Sequence, residues 1–174
     1  MSEQSVDYED LTTMKLDDDA LAELLDAGGE CVFNWTTKDG HPVGVVVAFV
    51  YHEGKFFTTC AERRKRVPAL RKRPHSGIVI NNGGKTATYK GESVVHANGD
   101  PGFDELKTWF YRRLSRLDQN PDDPYVQSFA KFLDSPHRVI IETDARLVVA
   151  FDTAKFRAFT VEAMAANDES AGTS

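Results

Sequence analysis

Cysteine is scarce. Cys31 and Cys60 are the only two in 174 residues, they form no CxxC pair, and no metal-ligand spacing surrounds them. Two are too few for a disulfide framework, which points to a reducing compartment. The GxSxG elbow of α/β-hydrolases and the HExxH helix of zinc proteases are both missing. The five histidines, His41, His52, His75, His96 and His137, are scattered at turns and strand ends, where surface or packing roles are expected. No apolar run reaches the roughly 18 residues of a membrane span. The opening MSEQSVDYEDLTTMKLDDD lacks the basic-then-apolar pattern of a signal peptide. No internal repeat is present. These absences predict a cytoplasmic chain of one domain that binds no membrane and no metal.

Positive charge is also in short supply, and it is unevenly spent. The chain has 21 Lys and Arg against 27 Asp and Glu, a net charge of −6. Seven of the basic residues fall between positions 63 and 73: Arg63, Arg64, Lys65, Arg66, Arg71, Lys72 and Arg73. The rest of the chain carries 14 basic residues against 27 acidic ones. Such an island attracts an anion or faces solvent. It follows a strand-like run, Lys55–Cys60, and opens a short helix in which Pro68 is tolerable only in the first turn. Free N–H groups and several cations at a strand-to-helix junction suit a phosphate. A solvated basic helix and a nucleic-acid patch fit the same residues. Nucleic-acid binding calls for a broad basic face with aromatic platforms. The single island without interleaved aromatics favours one small anionic ligand.

The order of elements follows from the apolar pattern. Residues 1–15 are acidic and polar and read as a loose arm; residues 16–166 read as the domain and 167–174 as a disordered tail. Asp17, Asp18 and Asp19 open a helix with Leu21, Leu24 and Leu25 on one face, closed by Gly28 and Gly29. A strand over 31–37 leads through Lys38, Asp39 and Gly40 into a long strand over 43–51. That second strand, VGVVVAFVY, is apolar on both faces, so something apolar is expected on each side. Strands follow over 55–60, 77–81 and 85–96. Helices are predicted over 103–117 and 125–134, one or two strands over 137–152, and a short helix over 154–165. Six or so strands, mostly in hairpins, suggest a small closed or split barrel.

The segments WTTKDGHPVGVVVAFVY, GKFFTT, RKRVPALRKRP and KGESVVH, in this order and spacing, resemble the pyridoxamine 5′-phosphate oxidase-like FMN-binding split-barrel superfamily. The nearer branch resembles the small actinobacterial flavin and deazaflavin reductases. The resemblance implies a mainly β fold with flanking helices: a six- to seven-stranded split antiparallel barrel. It implies a homodimer with cofactor sites at the subunit interface, and a cofactor that is FMN or the deazaflavin coenzyme F-420. The cofactor phosphate would be held at Arg64, Lys65 and Arg66. The ring would lie along Val45, Val46, Val47 and Ala48, with Thr58 and Thr59 lining the same pocket. Arg71, with Lys72 and Arg73, would reach the acidic tail of F-420. The function implied is hydride transfer between the reduced cofactor and a small organic acceptor. The alternative is a non-catalytic carrier or sequestering protein for a flavin, deazaflavin or tetrapyrrole. In either case the cofactor carries the chemistry, so no catalytic side chain is expected. The end of the chain, AANDESAGTS, lacks the Arg-containing substrate motif of the strict vitamin B6 oxidases, so that activity is not expected.

Overall fold

The computed structural model describes residues 12–171, with side chains to residue 165. Six antiparallel strands close into a barrel in the order β1-β2-β3-β6-β5-β4. They are β1 (Gly29–Thr36), β2 (Pro42–His52), β3 (Lys55–Ala61), β4 (His75–Asn82), β5 (Lys85–His96) and β6 (Arg138–Asp152). Closure comes from β1 meeting β4, with Val32 opposite Val79 and Phe33 opposite Ile78. A closed barrel leaves no unpaired strand edge. The C-terminal strand region, expected as one or two strands, is a single 15-residue strand that pairs with β3 along its first half and with β5 along most of its length. Serving both neighbours requires a bend. Val148 is the extra residue of a bulge between the pairs Thr88–Val149 and Tyr89–Leu147. Gly91 sits opposite Ala145, where a Cβ would fall 2.0 Å from the Asp144 carbonyl oxygen. Only glycine lets the two backbones approach this closely.

The period-two alternation of the strands sorts side chains into two cores. Inside the barrel lie Phe33, Phe49, Phe56, Ile78, Ile80, Tyr89, Val139 and Ile141, all buried. Phe56 is at the centre, its ring 4.8 Å from Tyr89 and 4.9 Å from Tyr51. Leu24 and Leu25 of α1 (Asp18–Asp26) and Val67 and Leu70 of α2 (Arg66–Lys72) belong to the same cluster, so these two helices stopper the barrel. Outside it, Phe57 and Ile140 are covered by Phe103, Phe110 and Tyr111 of α3 (Phe103–Leu114) and Leu133 of α4 (Pro124–Leu133). Trp109 meets Phe57 edge-on at 4.9 Å.

The helix starts follow their capping residues. The Asp17 carboxylate accepts from Ala20 N–H at 2.9 Å, and that bond holds its pKa below the usual carboxylate value. Asp123 accepts from Tyr125 N–H at 2.8 Å, ahead of Pro124 at the first helical position. The end of α3 carries no such marker residue. The helix predicted over 103–117 stops at Leu114, and Arg116 takes a left-handed conformation with φ 61°. Its N–H bonds to the Arg113 carbonyl, and Leu117 N–H bonds to the Arg112 carbonyl, a Schellman closure that normally uses glycine. No glycine marks it in the sequence. The last helix, α5 (Thr153–Ala171), runs past the residue where a tail was expected to begin. At the other end, the described part of the expected arm is packed: Met14, in a 3₁₀ turn at Thr12–Met14, is buried. Residues 1–11 and 172–174 lie outside the described residues.

One ion-pair cluster clamps β3, β5 and β6 together. Glu142 is bonded to Lys55 and, at 2.9 Å, to His96 Nε2. Burial alone would raise the Glu142 pKa, but the bonds from Lys55 and His96 outweigh it and hold it low. A carboxyl depressed in the folded state stabilises the fold above its unfolded pKa, and that contribution disappears as pH falls through the folded pKa. Glu142→Gln is therefore expected to cost about 1 kcal/mol near neutral pH and progressively less below about pH 4. Urea unfolding of both proteins across this range checks it. A gap independent of pH would contradict the assignment.

Candidate functional site

β3 delivers the chain to the end of the barrel, and a tight turn then folds it back. Glu62 N–H bonds to the His137 carbonyl at 2.8 Å, Arg64 N–H to Ala61 at 3.0 Å, and Val67 N–H to Arg64 at 2.9 Å. Pro68 falls in the first turn of α2, where no helical N–H is needed. The buried Val67 and Leu70 fix that helix against the core. As a result Arg63, Arg64, Lys65 and Arg66 are brought together against β2. With Trp35, Val45, Val46 and Val47 they enclose a groove of about 700 Å³.

The cations of the groove are set apart by their clustering. Among the described residues no carboxylate lies within 4.0 Å of Arg63, Arg64, Lys65 or Arg66. Elsewhere Lys55, Lys85, Lys107, Arg112 and Lys155 all have carboxylate partners. Arg66 is anchored by donating to the Thr59 carbonyl at 3.3 Å. Arg71 is different: its guanidinium reaches Glu62 at 3.4 Å, and it does not line the groove. Arg73 donates to the Thr36 carbonyl at 3.3 Å.

The remaining expected site residues divide. Val45, Val46 and Val47 line the groove. Ala48 does not; it faces a separate cavity beside α1 and α3. Thr58 is buried within the barrel. Thr59 bonds through its hydroxyl to the Val139 carbonyl at 2.8 Å, so its tie to the groove is the carbonyl that holds Arg66. Two groove residues lie outside the expected cofactor contacts: Trp35, and Arg63 of the basic run. Trp35 could have been found by hairpin counting: the Lys38-Asp39-Gly40 turn sets Trp35 opposite Val43, one inward step from Val45. Cys60 lies beneath the site. Burial raises its pKa, and the neighbouring Arg66 offsets part of that rise. Cys31, farther inside, is pushed up to about 12 by burial. Both thiols are protonated at neutral pH and are packing groups.

An apolar wall of valines and an indole, with four cations at one end that have no carboxylate partner among the described residues, suits a ligand with a flat apolar part and an anionic end. Among the described residues no group of His, Cys, Asp or Glu could hold a metal ion, and no helix is long and apolar enough to cross a membrane.

The sequence matches no family model and no curated protein. Solved structures do match. A conserved hypothetical protein from Mycobacterium tuberculosis superposes with a TM-score of 0.68 at 13% identity, over 83% of this chain and 90% of that one. A pyridoxamine 5′-phosphate oxidase-related, FMN-binding protein from Nostoc punctiforme gives 0.53 at 14% identity, over 75% and 82%. An F-420 reductase gives 0.52 at 14% identity, over 74% and 93%. The fold is the split barrel that these structures share. At these identities the split-barrel likeness is one of fold, and the groove's chemistry rests on its own residues.

Unpaired cations concentrate small anions near them. Iodide should therefore quench Trp35 fluorescence more efficiently than neutral acrylamide, measured in a Trp109→Phe background. The excess should vanish at high salt and when Arg64 and Lys65 are replaced by Gln. Equal iodide quenching before and after neutralisation would contradict a positive groove.

Proposed function

We propose that the groove holds a flavin-type cofactor by its phosphate, and that the chain is an oxidoreductase passing a hydride between that reduced cofactor and a small organic acceptor. The observation that carries the reading is the set of four carboxylate-free cations facing the valine wall of β2. Arg64, Lys65 and Arg66 would take the phosphate, and Val45, Val46 and Val47 with Trp35 would flank the ring. When bound, the cofactor supplies the hydride chemistry, and the protein binds, orients and shields it. Split-barrel relatives of both cofactor types, the FMN-binding protein and the F-420 reductase, support this at the level of fold.

Coenzyme F-420 is the first candidate. Four cations exceed the roughly −2 charge of one phosphate, and the glutamate tail of F-420 offers Arg63 further carboxylates. The second candidate is FMN. It is favoured by the engagement of Arg71 with Glu62 and of Arg73 with Thr36, which leaves fewer cations for a tail than the sequence promises. Titrating the chain with each cofactor at low and high salt decides between them. Binding of FMN with no F-420 affinity at low salt would overturn the first candidate.

The reading includes a homodimer. The outward face of β2 carries Val46, 61% exposed, beside Val32 of β1 at 37%, and a second copy would cover this apolar strip. The expected solution mass is twice the 19.4 kDa of one chain. A monomer at micromolar concentration with cofactor present would contradict it.

Replacing Arg64 and Arg66 by Ala should weaken cofactor binding about a hundredfold or more, since each charge-assisted hydrogen bond is worth roughly 1.5–3 kcal/mol. Unchanged affinity would remove the phosphate assignment. The enzymatic part is tested separately, by mixing reduced cofactor and protein with quinones, enones and tetrapyrroles. Acceptor-dependent oxidation is expected. Tight binding without it would make the chain a carrier or sequestering protein.

A further inference from the structure

The cavity that receives Ala48 is built from three elements and has no part in the groove. It measures about 630 Å³, within the range of small-molecule sites. β2 forms its floor through Ala48 and Tyr51. The end of α1 and start of β1 bring Asp26 and Glu30 to one wall, and the end of α3 brings Arg113 and Arg116 to another. The two charge types are not spent on each other. Among the described residues Asp26, Glu30, Arg113 and Arg116 make no ion pair, while the nearby Asp118 is taken by Arg112 at 2.7 Å. Arg113 is steadied by lying over the Trp109 ring at 5.7 Å.

Arg116 is the informative residue. It occupies the left-handed closing position of α3, with φ 61°, where glycine is the unstrained choice. The turn is held by the Arg113 carbonyl on one side and by Gln119 and Asn120 N–H groups, both donating to the Arg116 carbonyl, on the other. A left-handed backbone position thus carries a long cationic side chain at a cavity that Asp26 and Glu30 also line.

We propose that this cavity binds a small dipolar organic molecule, with its anionic end on Arg113 and Arg116 and its cationic or donor end on Asp26 and Glu30. Val46, on the groove wall, and Ala48, on the cavity floor, are two residues apart on one face of β2, about 7 Å by strand rise. The two sites are therefore neighbours. That the dipolar molecule is the acceptor of the proposed reaction rests on the flavin-type reading; its binding does not.

The test uses the full chain, ¹⁵N-labelled and without added cofactor, so that its outcome is independent of the groove. The probe is 4-(aminomethyl)benzoate, a zwitterion, with benzoate and benzylamine as controls that each carry one end. The zwitterion is expected to shift the amides of Ala48, Tyr51 and Leu114 and to bind more tightly than either control. Arg116→Gly should weaken it about tenfold or more, and thermal unfolding should show that variant to be at least as stable as the parent, because glycine relieves the turn. Glu30→Gln, on the opposite wall, should weaken the zwitterion and leave benzoate unchanged. Benzoate binding as tightly as the zwitterion, an unaltered affinity in Arg116→Gly, or shifts confined to Trp35 and its groove neighbours would each overturn the proposal.

Discussion

The pairing of β1 with β4 is the contact on which the other features depend. Without it the six strands would form an open sheet with two free edges, and α1 and α2 would have no barrel ends to cover. With it, β2 becomes a wall with a packed inner face and an exposed outer one. The inner face contributes Phe49 to the aromatic cluster around Phe56. The outer face is left to Gly44, Val46 and Ala48, small or branched residues that offer a smooth apolar strip. Burial of the inner residues fixes the register, since a slip by one residue would turn Phe49 out of the core and exchange the two faces. The position of both candidate ligand sites along β2 is a consequence of that register.

Electrostatics then distinguishes the two sites. The chain is acidic overall, and its cations are spread thinly except between residues 63 and 73. The groove gathers four, none with a carboxylate partner among the described residues, on a turn whose backbone bonds to Ala61 and His137 hold it in place. Repulsion among neighbouring cations works against folding unless something offsets it. The excess negative charge of the rest of the molecule supplies part of that offset at long range, and an anionic ligand would supply it directly. The cavity over Ala48 is different in kind, with both signs present and kept apart.

Much of this architecture was legible in the sequence, for physical reasons. Strand alternation and the Lys38-Asp39-Gly40 turn announce the first hairpin, the Asp17–Asp19 run announces a helix start, and the basic run between 63 and 73 stands out against an acidic chain. What escaped were features set by distant partners. Arg71 reads as part of one basic cluster, yet Glu62, nine positions earlier, claims it. Thr58 reads as a pocket residue but is turned into the core by the same alternation that turns Phe56 inward. Ala48 and Val46 share a face of β2, and only the placement of α1 and α3 assigns them to different cavities. The end of α3 is invisible in the sequence because arginine stands where glycine would signal it.

The central claim is that the valine wall of β2 and the cations of the β3–α2 turn form one site for a phosphate-bearing planar cofactor. Its most direct measurement is an amide and indole chemical-shift map of the labelled chain on titration with FMN and with F-420. The account predicts that at least one of them perturbs Val45, Val46, Val47, the Trp35 indole and Arg63 through Arg66 together, with a single saturation curve. Shifts confined to the turn, with the β2 amides and Trp35 unmoved, would show a bare anion site and contradict it.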